Sequence, residues 1–219
     1  MQGLDFSVVL PYTDLLLTGA WWTAVLTVSA AALSFVFGIA FAVAVLYAPA
    51  IVAYPARLFM WVFMGTPLLL QLFLIYFGLV QVGIDIPALA AGIVGLGLHF
   101  AVYNADVIRA GIVAVDPGQT EGARSIGFGK WQALRYVVIP QAVRNTAPPI
   151  ASNMIALLKE SSIVSVIGIA ELVHSAQLAI SETFRPFEFY ITAAALYYIL
   201  NLALEAGLRR FERHVEISR

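Results

Sequence analysis

Five stretches of roughly 20 mostly apolar residues, divided by prolines and glycines, constrain this chain more than any other feature of its sequence. A hydrocarbon core about 30 Å thick needs about 20 helical residues, and lipid offers backbone polar groups no other partner. A chain of 219 residues that is 61% apolar and 11% charged cannot bury its apolar surface as a soluble domain. The sequence therefore predicts an all-α integral membrane protein with about five transmembrane helices, at approximately 20–47, 58–80, 87–108, 149–170 and 189–208.

We expect one transmembrane domain over residues 1–219, since no internal repeat is apparent and five spans cannot form two equal halves. A pathway on a two-fold axis would then need a second subunit. The absence of cysteine excludes disulfides, thiolate catalysis and cysteine-ligated metals. A net charge of −1 gives no indication of nucleic-acid binding, and the N-terminus lacks the basic region that a cleaved targeting segment needs.

The basic residues predict the orientation of the chain, because Lys and Arg accumulate in loops on the cytoplasmic side. With the N-terminus outside, ten of the 12 basic residues lie in inner segments, while Arg185 lies outside and Lys159 lies within a span. The C-terminus is then cytoplasmic. The inner set comprises Arg57, Arg109, Arg124, Lys130, Arg135, Arg144, Arg209, Arg210, Arg213 and Arg219.

The inner segment at approximately 110–147 is too long for a simple connector, and long ordered loops are usually functional. Asp116 is a predicted N-cap, with Pro117 at the first helical position and Gln119 at the capping-box position. Gly127 and Gly129 are expected to end this short helix. A second short helix is predicted over 130–138, until Pro140 interrupts it.

This segment carries a recognisable motif. Glu121, Gly122 and Ala123 are followed by Gly127 and then by Val137, Ile139 and Pro140 at fixed spacings. The pattern resembles the cytoplasmic EAA loop of ATP-binding-cassette importer permeases, with Gly122 in place of the first alanine. Further motifs resemble the polar amino acid (histidine/glutamine-type) branch, which has the type I importer fold. They are Gly65-Thr66-Pro67-Leu68-Leu69, Gln71-Leu72, Tyr76-Phe77-Gly78, Tyr103-Asn104-Ala105-Asp106, Lys159-Glu160-Ser161-Ser162 and Phe184-Arg185-Pro186-Phe187.

The resemblance implies a multi-pass permease of the bacterial cytoplasmic (inner) membrane that works with several partners. Two ATP-binding-cassette ATPase subunits, a second permease subunit and an extracytoplasmic substrate-binding protein are expected, and the outer loop at 171–185, with Glu182 and Glu188, is a possible contact for the binding protein. The 116–140 loop would act as a coupling helix that docks into an ATPase. The coupling residues by resemblance are Glu121, Gly122, Ala123, Arg124, Gly127 and Pro140.

No catalytic or cofactor-binding residues are expected in this chain. It has no Gly-x-x-x-x-Gly-Lys-Ser/Thr loop, so ATP and Mg²⁺ would be bound and ATP hydrolysed by the partner ATPase. The three histidines have no metal-ligand spacing, and no metal is expected.

Polar residues inside the spans are candidates for the substrate pathway, because burying them in lipid is costly. In the resembled branch the acidic position after Lys159 faces the substrate route, which assigns Glu160 to an α-ammonium group. Four of the candidates also have a simpler structural explanation: hydrogen bonding within the helix bundle for Glu160, His99 and Asn153, and a bond from Thr66 to its own helix. The pathway candidates are Thr66, His99, Asn153, Glu160 and Ser161.

Three classes of function remain open at this point. The importer permease accounts for the motifs, with a polar amino acid or related small zwitterion as substrate. Compatible solutes and amino-acid conjugates stay possible, as do both homodimers and heterodimers. A gradient-driven secondary transporter or channel subunit is disfavoured by the missing repeat. An intramembrane hydrolase using Ser161 or Ser162 with His99 lacks the Gly-x-Ser-x-Gly motif.

Overall fold

The computed structural model describes residues 3–216, and every regular element in that range is a helix. This confirms the predicted all-α fold class. Arg219, one of the basic residues assigned to the inner side, lies outside the described residues. A 3₁₀-helix at Phe6–Tyr12 leads into α1 (Thr13–Tyr47), followed by α2 (Ala50–Met64), α3 (Leu68–Gln81), α4 (Ala88–Val113), α5 (Pro117–Ser125), α6 (Lys130–Ile167), α7 (Leu172–Thr183) and α8 (Pro186–Glu216).

The number of membrane-spanning helices agrees with the sequence. Within residues 3–216, four helices are long and apolar enough to span a membrane, namely α1, α4, α6 and α8. Helices α2 and α3 together qualify as a fifth, although they are bent by 113° relative to each other. About five spans were expected, and the structure contains four or five.

The bend between α2 and α3 corrects the prediction of one continuous helix over 58–80. The last hydrogen bond of helix α2 runs from Gly65 N to Trp61 O at 3.1 Å, and α3 starts only at Leu68. Pro67 has no N–H to continue a helix, and its ring disfavours helical geometry at Thr66. The three residues Gly65, Thr66 and Pro67 therefore form a sharp corner inside a membrane-spanning element.

Helix α6 corrects a second prediction, because Pro140 does not interrupt it. The helix contains a π-helical turn at Leu134–Val138, continues through Pro140, Pro148 and Pro149, and ends in a 3₁₀ turn at Ser161–Ile167. The wider π turn directly before Pro140 relieves the clash that the proline ring would otherwise make with the preceding turn. The span that was predicted to start at 149 therefore begins, as a helix, at Lys130.

Helix α4 lies in the centre of the core, where small residues allow close packing. A Cβ at Gly92, Gly95 or Gly97 would contact the side-chain ends of Ile169, Leu72 and Leu33 so closely that these side chains would have to shift. Close approach of this kind favours helix association in lipid, where the hydrophobic effect between helices is absent. The buried cluster around α4 comprises Leu26, Ala30, Leu68, Leu72, Ala91, Leu96, Phe100, Leu157, Val164, Ile167 and Ile169.

The segment predicted as an outer loop over 171–185 contains helix α7. Glu171 caps this helix: its carboxylate accepts from the backbone N–H groups of Val173 and His174 at 2.9 and 2.8 Å. The hydroxyl of Tyr197 on α8 donates to the same carboxylate at 2.7 Å. Burial raises the pKa of Glu171 above its usual range, although these three donors oppose the shift. The cap thereby fixes α7 against α8.

Two further carboxylates of the outer region have partners within the chain. Glu182 accepts from the Tyr12 hydroxyl at 2.8 Å. Glu188 is buried and accepts from Asp5 N at 3.2 Å and from Arg185 at 3.3 Å. Glu188 is therefore not exposed to a binding protein, contrary to the sequence-based expectation, whereas Glu182 remains exposed.

The crossing of α1 and α7 gives the first testable prediction. A Cβ at Gly19 would lie 2.9 Å from the Cα of Leu172, which is backbone and cannot rotate away. We expect Gly19→Ala to destabilise the protein by about 1–3 kcal/mol through overpacking. The midpoint of thermal unfolding in detergent, followed by tryptophan fluorescence, measures the effect. Gly207→Ala is the control, because nothing lies within 4 Å of that position. An equal or higher midpoint for Gly19→Ala would contradict the close crossing.

Candidate functional site

A polar pocket of about 520 Å³ lies at the corner between α2 and α3. The corner supplies one wall, while α4 and α6 supply the other. Its polar side chains converge from the corner and from two helices, which is typical of a binding site. The lining residues are Met64, Gly65, Thr66, Pro67, Leu68, Leu69, His99, Tyr103, Glu160 and Ile163.

Three of the five predicted pathway residues meet in this pocket: Thr66, His99 and Glu160. The Thr66 hydroxyl donates to Val62 O at 2.9 Å. This is the bond to its own helix that the sequence analysis gave as the structural explanation, so Thr66 both lines the pocket and makes that bond. Ser161 is fully buried, and its hydroxyl donates to Leu158 O at 2.7 Å. Ser161 is therefore not part of the pocket wall.

Asn153 is the fifth predicted residue, and it contacts a buried asparagine. Its Nδ2 donates to Oδ1 of Asn104 at 2.9 Å, and Asn104 in turn donates to Ser34 Oγ at 3.2 Å. Asn104 is fully buried. These hydrogen bonds link α6 to α4 and α1. They are the interhelical hydrogen bonding that the sequence analysis gave as the alternative explanation for Asn153.

His99 and Glu160 face each other across the pocket. His99 Nε2 lies 3.9 Å from Glu160 Oε2, which is longer than a hydrogen bond. The histidine side chain is 10% exposed and that of Glu160 is 41% exposed, so the carboxylate is open to the pocket. The centroid of the Tyr103 ring lies 5.2 Å from that of the His99 ring, and Tyr103 forms part of the pocket wall.

Gln71 is the residue of this site that the sequence-based list of pathway residues missed. It lies on α3 and is 4% exposed. Its Nε2 donates to Phe63 O and Thr66 O at 2.8 and 3.1 Å, and its Oε1 lies 3.0 Å from His99 Nδ1. The side chain thus satisfies carbonyl groups that the corner leaves without helical partners. The sequence signals were an amide inside a span, one turn after a proline, and the Gln71-Leu72 motif of the resembled branch.

The serine hydroxyls do not form the pair that a hydrolase would need. Ser162 donates to Lys159 O at 2.9 Å, and Ser161 donates to Leu158 O. His99 faces Gln71 and Glu160 instead. Among the described contacts, no serine approaches His99, and this disfavours the hydrolase.

A second candidate surface lies at the far end of α4, on the short helix α5. Asp116 accepts from Gly118 N at 2.6 Å and Pro117 is the first helical residue, as predicted, while the Gln119 side chain contacts Gln141 rather than closing a capping box. The helix ends at Ser125, and Gly127 follows with a φ of 95° that favours glycine.

Helix α5 is largely exposed. Ala123 is buried, whereas Glu121, Gly122 and Arg124 are exposed. The adjoining surface also exposes large apolar side chains: Ile126, Trp131 and Tyr136 are each more than 60% exposed. Apolar groups exposed beside a polar helix typically mark an interaction surface.

Contacts with α6 hold this surface in place. Val115, Val138 and Ala142 form a small buried cluster between the segment before α5 and helix α6. Beyond it, Arg109 and Asp106 form an ion pair at 2.7 Å near the end of α4. Among the described side chains, no cluster of three or more His, Asp or Glu residues could hold a metal.

A helical membrane domain with a broken span at a polar pocket and a short helix presented at one end is typical of the membrane subunit of a transporter. The comparisons with known proteins specify which class. The chain belongs to the family of binding-protein-dependent transport system inner membrane components, whose sequence profile matches residues 34–217. It is therefore an inner-membrane permease subunit of an ATP-binding-cassette importer, as the motif resemblance implied.

Related proteins match along nearly the whole chain. The arginine transport system permease protein ArtQ of Bacillus subtilis is 37% identical over 216 residues, covering 98% of this chain and 99% of the relative. The glutamine transport system permease protein GlnP of Escherichia coli is 32% identical over 215 residues, covering 97% and 98%.

Solved structures share the fold. A crystal structure of an amino acid ABC transporter with histidines superposes with a TM-score of 0.91 at 43% identity, covering 97% of this chain and all of that one. The inward-facing MetNI methionine transporter superposes with a TM-score of 0.78 at 23% identity, over 94% of this chain and 98% of that one, which is a likeness of fold.

The pair formed by Asn153 and Asn104 gives the second prediction. Asn153→Ala leaves the buried Oδ1 of Asn104 without its donor, which we expect to cost about 1–3 kcal/mol of stability. The thermal unfolding midpoint in detergent should fall accordingly. Ser152→Ala is the matched control, because Ser152 is exposed and bonds only within its own helix. An unchanged midpoint for Asn153→Ala would show that the amide pair does not stabilise the bundle.

Proposed function

We propose that this chain lines the translocation pathway of an importer for a polar amino acid or a closely related small zwitterion. The observation that carries the proposal is the open carboxylate of Glu160 in a pocket formed at a broken span. An ionisable group is costly to keep inside a membrane, so one that borders an open pocket is a candidate for substrate binding. A carboxylate suits the α-ammonium group that every amino acid carries.

The opposite wall of the pocket suits the other end of a zwitterion. The first intrahelical bonds of α3 are donated by Leu70 and Gln71 to Pro67 O. The N–H groups of Leu68 and Leu69 precede them, and such groups at a helix start have no helical partner. Broken helices in transporters commonly direct this positive end of the helix dipole toward an anionic substrate group. A substrate carboxylate near Leu68 and an ammonium near Glu160 would use both walls.

The names of the relatives support the same substrate class. They include permeases for arginine and for glutamine, and a structural neighbour is described as an amino acid transporter. The side chains of arginine and glutamine differ in charge, while both amino acids carry the α-ammonium and the α-carboxylate. The proposal therefore rests on the shared zwitterion and leaves the side chain open.

We propose further that α5 couples the pathway to a separate ATPase. Its exposed residues Glu121, Gly122 and Arg124 lie beside apolar side chains that a partner could cover. The buried Ala123, the turn at Gly127 and the continuation of α6 through Pro140 keep this surface rigid enough to transmit a movement.

The complete transporter would then contain several chains. Two ATPase subunits would bind ATP and Mg²⁺ and hydrolyse ATP, so this chain would not itself be catalytic. A second permease, identical or related, would complete the pathway, and an extracytoplasmic binding protein would meet the end that carries α7. With the N-terminus outside, residues 1–219 form one permease domain, and most basic residues lie on the ATPase side.

The substrate pocket gives the third prediction. Glu160→Gln removes the negative charge and keeps the shape, so a charge-assisted bond worth about 1.5–3 kcal/mol is weakened. We expect ATP-driven uptake of the transported amino acid into proteoliposomes to fall by about 10- to 100-fold at subsaturating substrate. Lys159→Gln is the control, since Lys159 is exposed and does not line the pocket. Wild-type uptake by Glu160→Gln would contradict the assigned role.

The coupling helix gives the fourth prediction. Replacing the exposed Glu121 with leucine should uncouple the two activities: ATP hydrolysis by the assembled complex continues, while uptake is lost. Asp85→Leu is the control, because Asp85 is an exposed carboxylate in the loop at the opposite end of α4. Both rates are measured in the same proteoliposomes. Normal uptake by a complex carrying Glu121→Leu, or uptake without any ATPase subunit, would count against the coupling proposal.

A further inference from the structure

The hydrogen bonds of Gln71 determine which of its two polar ends is the nitrogen. One end faces three oxygens, namely Phe63 O at 2.8 Å, Thr66 O at 3.1 Å and Thr66 Oγ1 at 2.9 Å. Two of these are backbone carbonyl oxygens, which can only accept. The end that faces them must therefore be the amide NH₂. The carboxamide oxygen is left to face His99.

The orientation of Gln71 in turn determines the tautomer of His99. Its ring nitrogen Nδ1 lies 3.0 Å from Gln71 Oε1, and an amide oxygen can only accept. Nδ1 must therefore carry a hydrogen. In the neutral imidazole only one nitrogen is protonated, so Nε2 has a free lone pair. His99 is 8% exposed, and Gln71 is buried beside it, so the ring has little freedom to turn.

The free lone pair points toward another acceptor. His99 Nε2 and Glu160 Oε2 lie 3.9 Å apart, beyond the range of a direct hydrogen bond, and both border the open pocket. Two acceptors that face each other across a gap are bridged best by a group that donates from both sides. An ammonium or guanidinium group has several N–H donors and a positive charge, whereas a quaternary trimethylammonium has the charge alone.

We infer that Gln71 is a positioning residue that holds His99 as the Nδ1–H tautomer, so that His99 Nε2 and Glu160 form a paired acceptor for an N–H-bearing cation. The inference rests on the proposed function where it assigns this cation to the substrate. The tautomer itself rests only on the hydrogen bonds. Among the substrate classes that the sequence left open, the paired acceptor favours amino acids over compatible solutes whose nitrogen is fully methylated.

Nitrogen-15 NMR of the assembled transporter in lipid nanodiscs tests the tautomer directly. The chain has three histidines, so H174Q/H214Q leaves His99 as the single labelled imidazole of the permease. At neutral pH we expect a protonated Nδ1 and an unprotonated Nε2. The opposite tautomer, or a doubly protonated ring paired with Glu160, would overturn the inference.

Simple cations test the paired acceptor in the same sample. Methylammonium has N–H donors and tetramethylammonium has none, while both carry one positive charge. We expect methylammonium to move the Nε2 resonance of His99 toward that of a hydrogen-bonded nitrogen, and tetramethylammonium to leave it in place. No response to either ion, or an equal response to both, would refute a site that requires N–H donors.

Gln71→Met tests the positioning role, and this is the fifth prediction. The thioether cannot accept strongly from Nδ1, so we expect the spectrum to show a mixture of tautomers and uptake to fall by about 2- to 10-fold. An unchanged tautomer in a folded Gln71→Met protein would refute the role, and if this variant does not fold, the wild-type spectrum still decides the tautomer.

The outcomes also separate this inference from the proposed function. If Glu160→Gln abolishes uptake while His99 carries its hydrogen on Nε2, the importer site stands and the tautomer assignment fails. If the Nδ1–H tautomer is observed while Glu160→Gln transports normally, the assignment stands and the proposed substrate contact fails.

Discussion

Every backbone polar group in a bilayer must find its partner inside the protein, and this constraint explains most of the structure. Continuous helices satisfy it over most of the chain, and the corner at Gly65, Thr66 and Pro67 is where a span departs from it. There a buried side chain replaces the missing helical bonds, since Gln71 donates to one carbonyl just before the corner, that of Phe63, and to one within it, that of Thr66. The corner interrupts the span and so makes space for the polar pocket. The interruption is tolerated because Gln71 donates hydrogen bonds to the carbonyl groups that the corner leaves without helical partners.

The sequence predicted the elements whose signal is local. The lengths of the apolar stretches predicted the number of spans, and Asp116 with Pro117 predicted the start of α5. The effect of prolines inside the long apolar stretches could not be predicted from the sequence. Pro67 breaks a span that looked continuous, whereas Pro140 lies inside a helix that it was expected to end. Pro140 is accommodated because a π turn precedes it, and the amino-acid sequence does not indicate this turn.

The site shows the same division between local and tertiary information. Thr66, His99 and Glu160 were selected as rare polar groups inside apolar stretches, and they meet in one pocket. Asn153 satisfied the same criterion but bonds to Asn104 on another helix, and helix pairing cannot be deduced from a single sequence. Gln71 was overlooked as a functional candidate because its partners are created by a bend that the sequence did not predict.

The unbroken course of α6 has a mechanical consequence. Helix α6 starts at Lys130, shortly after the short helix α5, and packs through Val138 and Ala142 against Val115 in the segment before α5. The same helix carries Glu160 to the pocket. At 1.5 Å per residue, the 30 residues between Lys130 and Glu160 separate the two ends by about 45 Å. A lever of this length turns a small tilt at its exposed end into a displacement of the carboxylate relative to His99. Under the proposed function, such a displacement would loosen the hold on a substrate bound at Glu160 without unfolding any part of α6.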